Sequence, residues 1–234
     1  MCGIVGYVGR EQAAPIQLDG LQRLEYRGYD SAGVAVSGPN GMQVRKAKGR
    51  LQVLKELTHD GADLPGTLGI GHTRWATHGE PNDINAHPHV SRSGRIALVH
   101  NGIIENFAEL KGQLLHKGYQ FTSETDTEVV VQLLDYYYDQ CGDMIEAVRR
   151  VLNAVEGAYA FGIVSADAPD TLIAARKDAP LLLGYGEGEN FIASDVTAII
   201  RHTRDISYME DGEMAVLTSD SITVYDKTGV EVTK

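Results

Sequence analysis

The sequence predicts one α+β domain in which most strands pair antiparallel, and three observations carry that expectation. The last third of the chain is a succession of short β-rich runs broken by turn residues. The first two thirds interleave such runs with segments whose apolar residues recur at helical spacing. No internal repeat, low-complexity tract or Pro/Ser-rich linker divides the 234 residues, a length that one large domain or two small ones would fill.

Taken in order, residues 2–9 place Ile4, Val5 and Val8 among glycines and read as a strand that another backbone or a ligand approaches closely. Across residues 13–26, Ile16, Leu21 and Leu24 fall at roughly helical spacing, with Gly28 positioned to close the helix. Residues 32–37 and 42–47 form a hairpin around Pro39-Asn40-Gly41, and 51–57 a short helix. A strand over 67–74 leads into residues 75–93, a stretch of His, Pro, Asn and Gly too long for an ordinary connection. A strand over 95–100 ends at Asn101-Gly102, and a helix over 106–117 follows. Thr125-Asp126-Thr127-Glu128 opens another helix, because a hydroxyl or carboxylate there satisfies free backbone donors. A further helix spans 144–155. Strands over 159–164, 171–176, 181–183, 214–217 and 222–225 complete the chain, with a short helix near 196–200.

Composition narrows the function classes. Hydrophobic residues at 43% and charged residues at 23% are ordinary for a globular protein and exclude disordered and fibrous classes. A formal net charge of -11 argues against nucleic acid or an anionic membrane as a partner. No apolar run is long enough to span a bilayer, and the N-terminus lacks the pattern of a secretory signal. Two distant cysteines make no disulfide framework, which points to a reducing cytoplasm. Cys141, in the polar run Asp139-Gln140-Cys141-Gly142-Asp143, reads as an incidental thiol.

Cys2 is different. Removal of Met1 would leave a thiol and a free α-amine on one residue, with reference pKa values of about 8.5 and about 7.7–8.0. The amine can then act as base while the sulfur acts as nucleophile, without a histidine. Attack on an amide also requires donors for the oxyanion, and Asn101-Gly102 offers a side-chain amide plus a backbone N–H. By itself the same dipeptide is far more often a plain turn. A free amino acid needs a cation for its carboxylate and an anion for its ammonium. Arg74, at a strand end, suits the first, and Asp126 suits the second unless it merely caps its helix. His72, His78, His87, His89 and His100 crowd one region, yet no metal-binding spacing accompanies them, and hydrogen bonds to backbone are the favoured reading.

These pieces together carry a resemblance. Met1-Cys2-Gly3-Ile4-Val5-Gly6 resembles the start of the N-terminal nucleophile (class II) glutamine amidotransferases. Residues 23–33, 71–81 (Gly71-His72-Thr73-Arg74-Trp75-Ala76-Thr77-His78-Gly79-Glu80-Pro81), 85–89, 99–102 and 123–128 are similar to the branch of that family that aminates a sugar phosphate. The likeness runs from Cys2 to about Ala215 and implies a four-layer αββα sandwich of two antiparallel sheets. It also implies hydrolysis of L-glutamine to glutamate and ammonia through a Cys2 thioester, with no metal or organic cofactor. By the same resemblance Asn101 and Gly102 form the oxyanion hole, Arg74 binds the glutamine carboxylate, and Asp126 binds its ammonium. Trp75, Thr77 and His78 then belong to a loop that closes over glutamine. Members of that branch carry a further fructose 6-phosphate isomerase region, through which they dimerise; it is not part of this sequence, so a monomer is expected. Two alternatives stay open: the glutaminase part of a purine amidotransferase or asparagine synthetase, and a non-catalytic glutamine-binding domain.

Overall fold

The computed structural model describes residues 2–77 and 79–234; Met1 and His78, with the expectations placed on them, lie outside the described residues. Along the chain run β1 (Gly3–Val8), α1 (Ala13–Leu24), β2 (Ser31–Gly38), β3 (Gly41–Lys48), α2 (Leu51–Leu57), β4 (Leu68–Arg74), β5 (His89–Val90) and β6 (Ile96–Ile104). Then come α3 (Phe107–His116), α4 (Asp126–Cys141), α5 (Met144–Ala154), β7 (Gly157–Ser165), β8 (Ala168–Lys177) and β9 (Leu182–Tyr185). The chain ends with β10 (Asn190–Ala193), β11 (Asp205–Tyr208), β12 (Glu213–Leu217), β13 (Ile222–Tyr225) and β14 (Glu231–Val232).

The strands form two sheets. One has the order β11-β9-β10-β1-β4-β2-β3 and the other β14-β13-β12-β8-β7-β6-β5, with every neighbouring pair antiparallel. Strand alternation divides the core into three layers. Ile4, Ile70, Val99, Ala160, Leu172 and Ile192 pack between the sheets. Val5, Tyr7, Val34 and Phe191 point the other way, against Leu18, Leu21 and Leu24 of α1 and Leu51 and Leu54 of α2. Ile96, Leu98, Phe161 and Ile163 meet Leu110 and Leu114 of α3, Val130 and Leu134 of α4, and Val148 and Val151 of α5. The result is the expected αββα sandwich. Burial of each such large aliphatic side chain stabilises the fold by roughly 1.5–3 kcal/mol before conformational entropy is counted.

Local sequence explains the elements that frame the site. Thr125 caps α4 by accepting from the Glu128 N–H at 3.3 Å. Glu128 in turn reaches back to accept from the Ser123 N–H at 2.7 Å, a close relative of the capping box. Two expectations are corrected. Gly28 does not close α1 in a left-handed turn: it is extended and lies against the Arg74–Trp75 backbone, where a Cβ would come within 2.8 Å of the Arg74 carbonyl carbon. Asn101-Gly102 is not the end of a strand, because β6 continues to Ile104 and pairs Asn101 with Ala160 and Gly102 with Tyr159. Gly102 has φ 122° there, and a Cβ would meet the Ala158 carbonyl at 2.2 Å, so only glycine carries the strand through. Among the described residues no helix is long and apolar enough to cross a membrane.

Candidate active site

The site lies at one end of the space between the sheets. β1 and β4 run antiparallel with Gly3 opposite Thr73 and Ile4 opposite His72, so Cys2, one residue before β1, meets Arg74 at the end of β4. Alternation turns Cys2, His72 and Arg74 to the face that carries Ile4 and Ile70, towards the second sheet. From that sheet β6 presents Asn101 on the face of Ala97 and Val99, and α4 brings Asp126 on its first turn. A cavity of about 270 Å³ is lined by Cys2, Arg74, Trp75, Thr77, Asn101, Gly102 and Asp126, with Arg27 and Asp178 also on its wall. Seven of the eight residues singled out in the sequence therefore line one cavity, and the eighth, His78, is outside the described residues.

The Cys2 sulfur accepts the Trp75 backbone N–H at 3.2 Å, and the Asn101 side-chain amide donates to the Cys2 carbonyl at 3.0 Å. Burial pushes the Cys2 thiol above its ordinary value, against the pull of the Trp75 N–H and the Arg74 charge. A thiol in that state attacks only if something removes its proton. Arg74 is 4% exposed, and its guanidinium donates to the backbone carbonyls of Glu80 at 3.3 Å and Gly79 at 3.4 Å. Asp126 does not cap α4: Thr125 does, and the Asp126 carboxylate accepts the Ile104 N–H of β6 at 2.8 Å. An acidic and a basic side chain thus face one small cavity that also holds a thiol, which suits a zwitterionic ligand.

Several partners of the site residues escaped the sequence reading. Asp30 accepts the Ala76 N–H at 2.9 Å, and its own N–H donates to the Arg74 carbonyl at 3.0 Å, so it ties down the segment after β4. Trp75 is 46% exposed and packs edge-on against Tyr29, with ring centroids 5.5 Å apart. Asn85 braces the long loop by donating to Glu80 O and Glu124 Oε2, both at 3.0 Å. At the cavity wall, which includes His87 and His100, the side chains of His72, His87, His89 and His100 are buried together, His72 stacked on His87 at 4.1 Å. Their contacts run to Asn101, Thr125, Thr127 and backbone carbonyls and amides. Only their crowding in sequence hinted at them; their partners come from strands and helices distant along the chain.

The fold and the cavity define an amidotransferase of the N-terminal nucleophile type, and comparison with known proteins agrees. Residues 36–228 match the model of the glutamine amidotransferase domain, and the chain belongs to that family. It is 57% identical over its whole length to glutamine–fructose-6-phosphate aminotransferase [isomerizing] of Caldanaerobacter subterraneus subsp. tengcongensis, of which it covers 38%. The enzyme of the same name from Thermus thermophilus is 53% identical over 98% of this chain and 37% of its own length. The chain therefore spans little more than a third of these relatives. Among solved structures it is similar to glutamine phosphoribosylpyrophosphate amidotransferase of B. subtilis, complexed with ADP and GMP. That match has a TM-score of 0.82 and 27% identity, covering 97% of this chain and 49% of the other.

Proposed function

We propose that this domain hydrolyses L-glutamine to glutamate and ammonia, with Cys2 as nucleophile. The observation that carries the reading is the convergence on one cavity of the Cys2 thiol, the Asn101 and Gly102 donors, and the oppositely charged Arg74 and Asp126. Once Met1 is removed, the α-amine of Cys2 takes the thiol proton as the sulfur bonds to the amide carbon. The carbonyl oxygen gains charge, which the Asn101 side-chain amide and the Gly102 backbone N–H stabilise; two such donors are worth several kcal/mol, roughly 2.7–4 kcal/mol each. The C–N bond then breaks, the proton held by the amine passes to the leaving nitrogen, and ammonia departs. Water attacks the thioester, giving glutamate and the free thiol. Arg74 pairs with the substrate α-carboxylate and Asp126 with its ammonium, while Trp75 and Thr77 cover it.

By its likeness to the longer relatives, the ammonia would serve amination of fructose 6-phosphate by a further sugar-phosphate region, towards glucosamine 6-phosphate and amino-sugar synthesis. The full-length protein would be a cytoplasmic homodimer, a setting that keeps a catalytic thiol reduced. The glutaminase reading is tested by intact mass spectrometry with 6-diazo-5-oxo-norleucine. Loss of Met1 and one adduct on Cys2, blocked by excess glutamine, is the expected result. Chains that lack Met1 yet form no adduct and release no glutamate would overturn it.

A further inference from the structure

The Asn101 side chain can sit in either of two orientations that differ by exchange of its oxygen and nitrogen, and only one offers N–H groups to the Cys2 side. We infer that His72 is the positioning residue that holds Asn101 in that orientation, and that the His100 backbone carbonyl sets His72 for the task. The inference deepens the proposed hydrolysis and rests on that reading for its catalytic consequence.

One proton on His72 sets the orientation. His72 Nε2 lies 3.2 Å from the His100 carbonyl oxygen, which can only accept, so Nε2 must carry hydrogen. The same Nε2 lies 2.9 Å from the Asn101 side chain, whose facing atom must then be Oδ1. That leaves Nδ2 to donate to the Cys2 carbonyl at 3.0 Å, with its second N–H free of that bond. With the proton on Nδ1 instead, Nε2 would face the carbonyl with a lone pair and accept from Asn101. The amide would then turn over and set its oxygen against the Cys2 carbonyl.

A second, independent observation weighs against that tautomer, since an orphaned buried N–H is rarer than an under-satisfied acceptor. His72 is 0% exposed, and its Nδ1 has no hydrogen-bond partner. A proton there would bury an unsatisfied donor, which costs about 1–3 kcal/mol. Burial also lowers the His72 pKa to about 3, so the ring stays neutral and holds a single proton. Stacking on His87 at 4.1 Å and 11° fixes the ring plane.

The test compares His72→Gln with His72→Asn. A glutamine amide nitrogen is as many bonds from Cβ as histidine Nε2, whereas an asparagine amide nitrogen stands where Nδ1 does. His72→Asn should lower kcat about tenfold to a hundredfold with little change in KM, and His72→Gln should recover most of that loss. Binding of glutamate γ-semialdehyde, whose carbonyl takes up the Cys2 sulfur to give a tetrahedral adduct, should weaken by the same factor in His72→Asn. Glutamate binding should stay unchanged. Equal behaviour of the two variants, or parallel loss of glutamate and aldehyde affinity, would reduce His72 to a packing residue. Long-range proton–nitrogen NMR of the unaltered protein decides the tautomer without any turnover: a proton on Nδ1 overturns the inference. An unaltered protein that neither hydrolyses glutamine nor binds the aldehyde would instead sink the glutaminase reading.

Discussion

Strands β1, β4 and β6 each change character partway along one face. On the face between the sheets, β4 reads Leu68, Ile70, His72, Arg74, and β6 reads Ala97, Val99, Asn101; on β1 the series Val8, Gly6, Ile4 continues to Cys2. One end of each series is aliphatic and sealed, and the other carries thiol, imidazole, guanidinium and amide. The backbone is the same ladder throughout, so the site is a core in which residue type alone was switched. The antiparallel register between β1 and β4 brings both polar ends together. What separates them from a destabilising buried-polar defect is that their N–H donors are paired, Arg74 with the Glu80 and Gly79 carbonyls and Asn101 with the Cys2 carbonyl, while His72 keeps an unpartnered Nδ1.

If the two ends are separable, substitutions at the polar end should remove activity and leave the fold in place. Cys2→Ala is the largest case: glutamine hydrolysis should fall by at least about 10⁴-fold, with an unchanged unfolding midpoint and retained glutamine binding. Asn101→Ala comes next. If its amide stabilises the oxyanion, kcat should fall by about 10²–10³-fold while KM moves little. An equal loss in KM would mean that Asn101 merely holds substrate.

The aliphatic end gives the mirror prediction. Ile70 is fully buried two residues before His72, and Ile70→Ala should lower unfolding free energy by about 2–5 kcal/mol through lost contacts and a cavity. Below the new melting point, KM for glutamine should match the parent. A tenfold rise in KM would show that strain crosses from the core into the site, and the two ends would no longer count as independent.

The same contrast explains what could be read in advance. The aliphatic ends of the strands announce themselves by alternation, and Cys2, Arg74, Asn101 and Asp126, which the structure brings to one cavity, were singled out because thiol, cation, amide and carboxylate carry chemistry at those positions. Four short strands, β5, β10, β11 and β14, were missed, since four or fewer residues give no period to detect. The continuation of β6 through Gly102 was hidden because an Asn-Gly pair ordinarily signals a turn, and only the approach of the Ala158 carbonyl explains glycine within the strand. His72, Asp30 and Asn85 act through partners 29, 46 and 39 positions away, distances at which a single sequence is silent.

The polar end should also make stability depend on pH. His72, His87 and His89 are all buried, and desolvation is the main cause that holds each pKa below 6.5, His72 at about 3. A group whose folded pKa is depressed keeps its full contribution above the unfolded value and loses it as pH falls towards the folded one. The unfolded chain takes up a proton that the folded chain refuses. Below about pH 6.5 each such histidine should therefore steepen the loss of stability by up to about 1.4 kcal/mol per pH unit. His89→Gln replaces one of them with a neutral group able to reach Thr125, the partner of His89 at 2.8 Å. Denaturant unfolding from about pH 6 to about pH 4.5 should show a shallower slope for His89→Gln than for the parent, by up to that amount. Carboxylates common to both chains cancel in the difference. Ile70→Ala, at the aliphatic end, should be less stable at every pH yet keep the parental slope. Identical slopes for parent and His89→Gln would mean that the histidine takes its proton without leaving the fold, and that the polar end is more open to water than its burial implies.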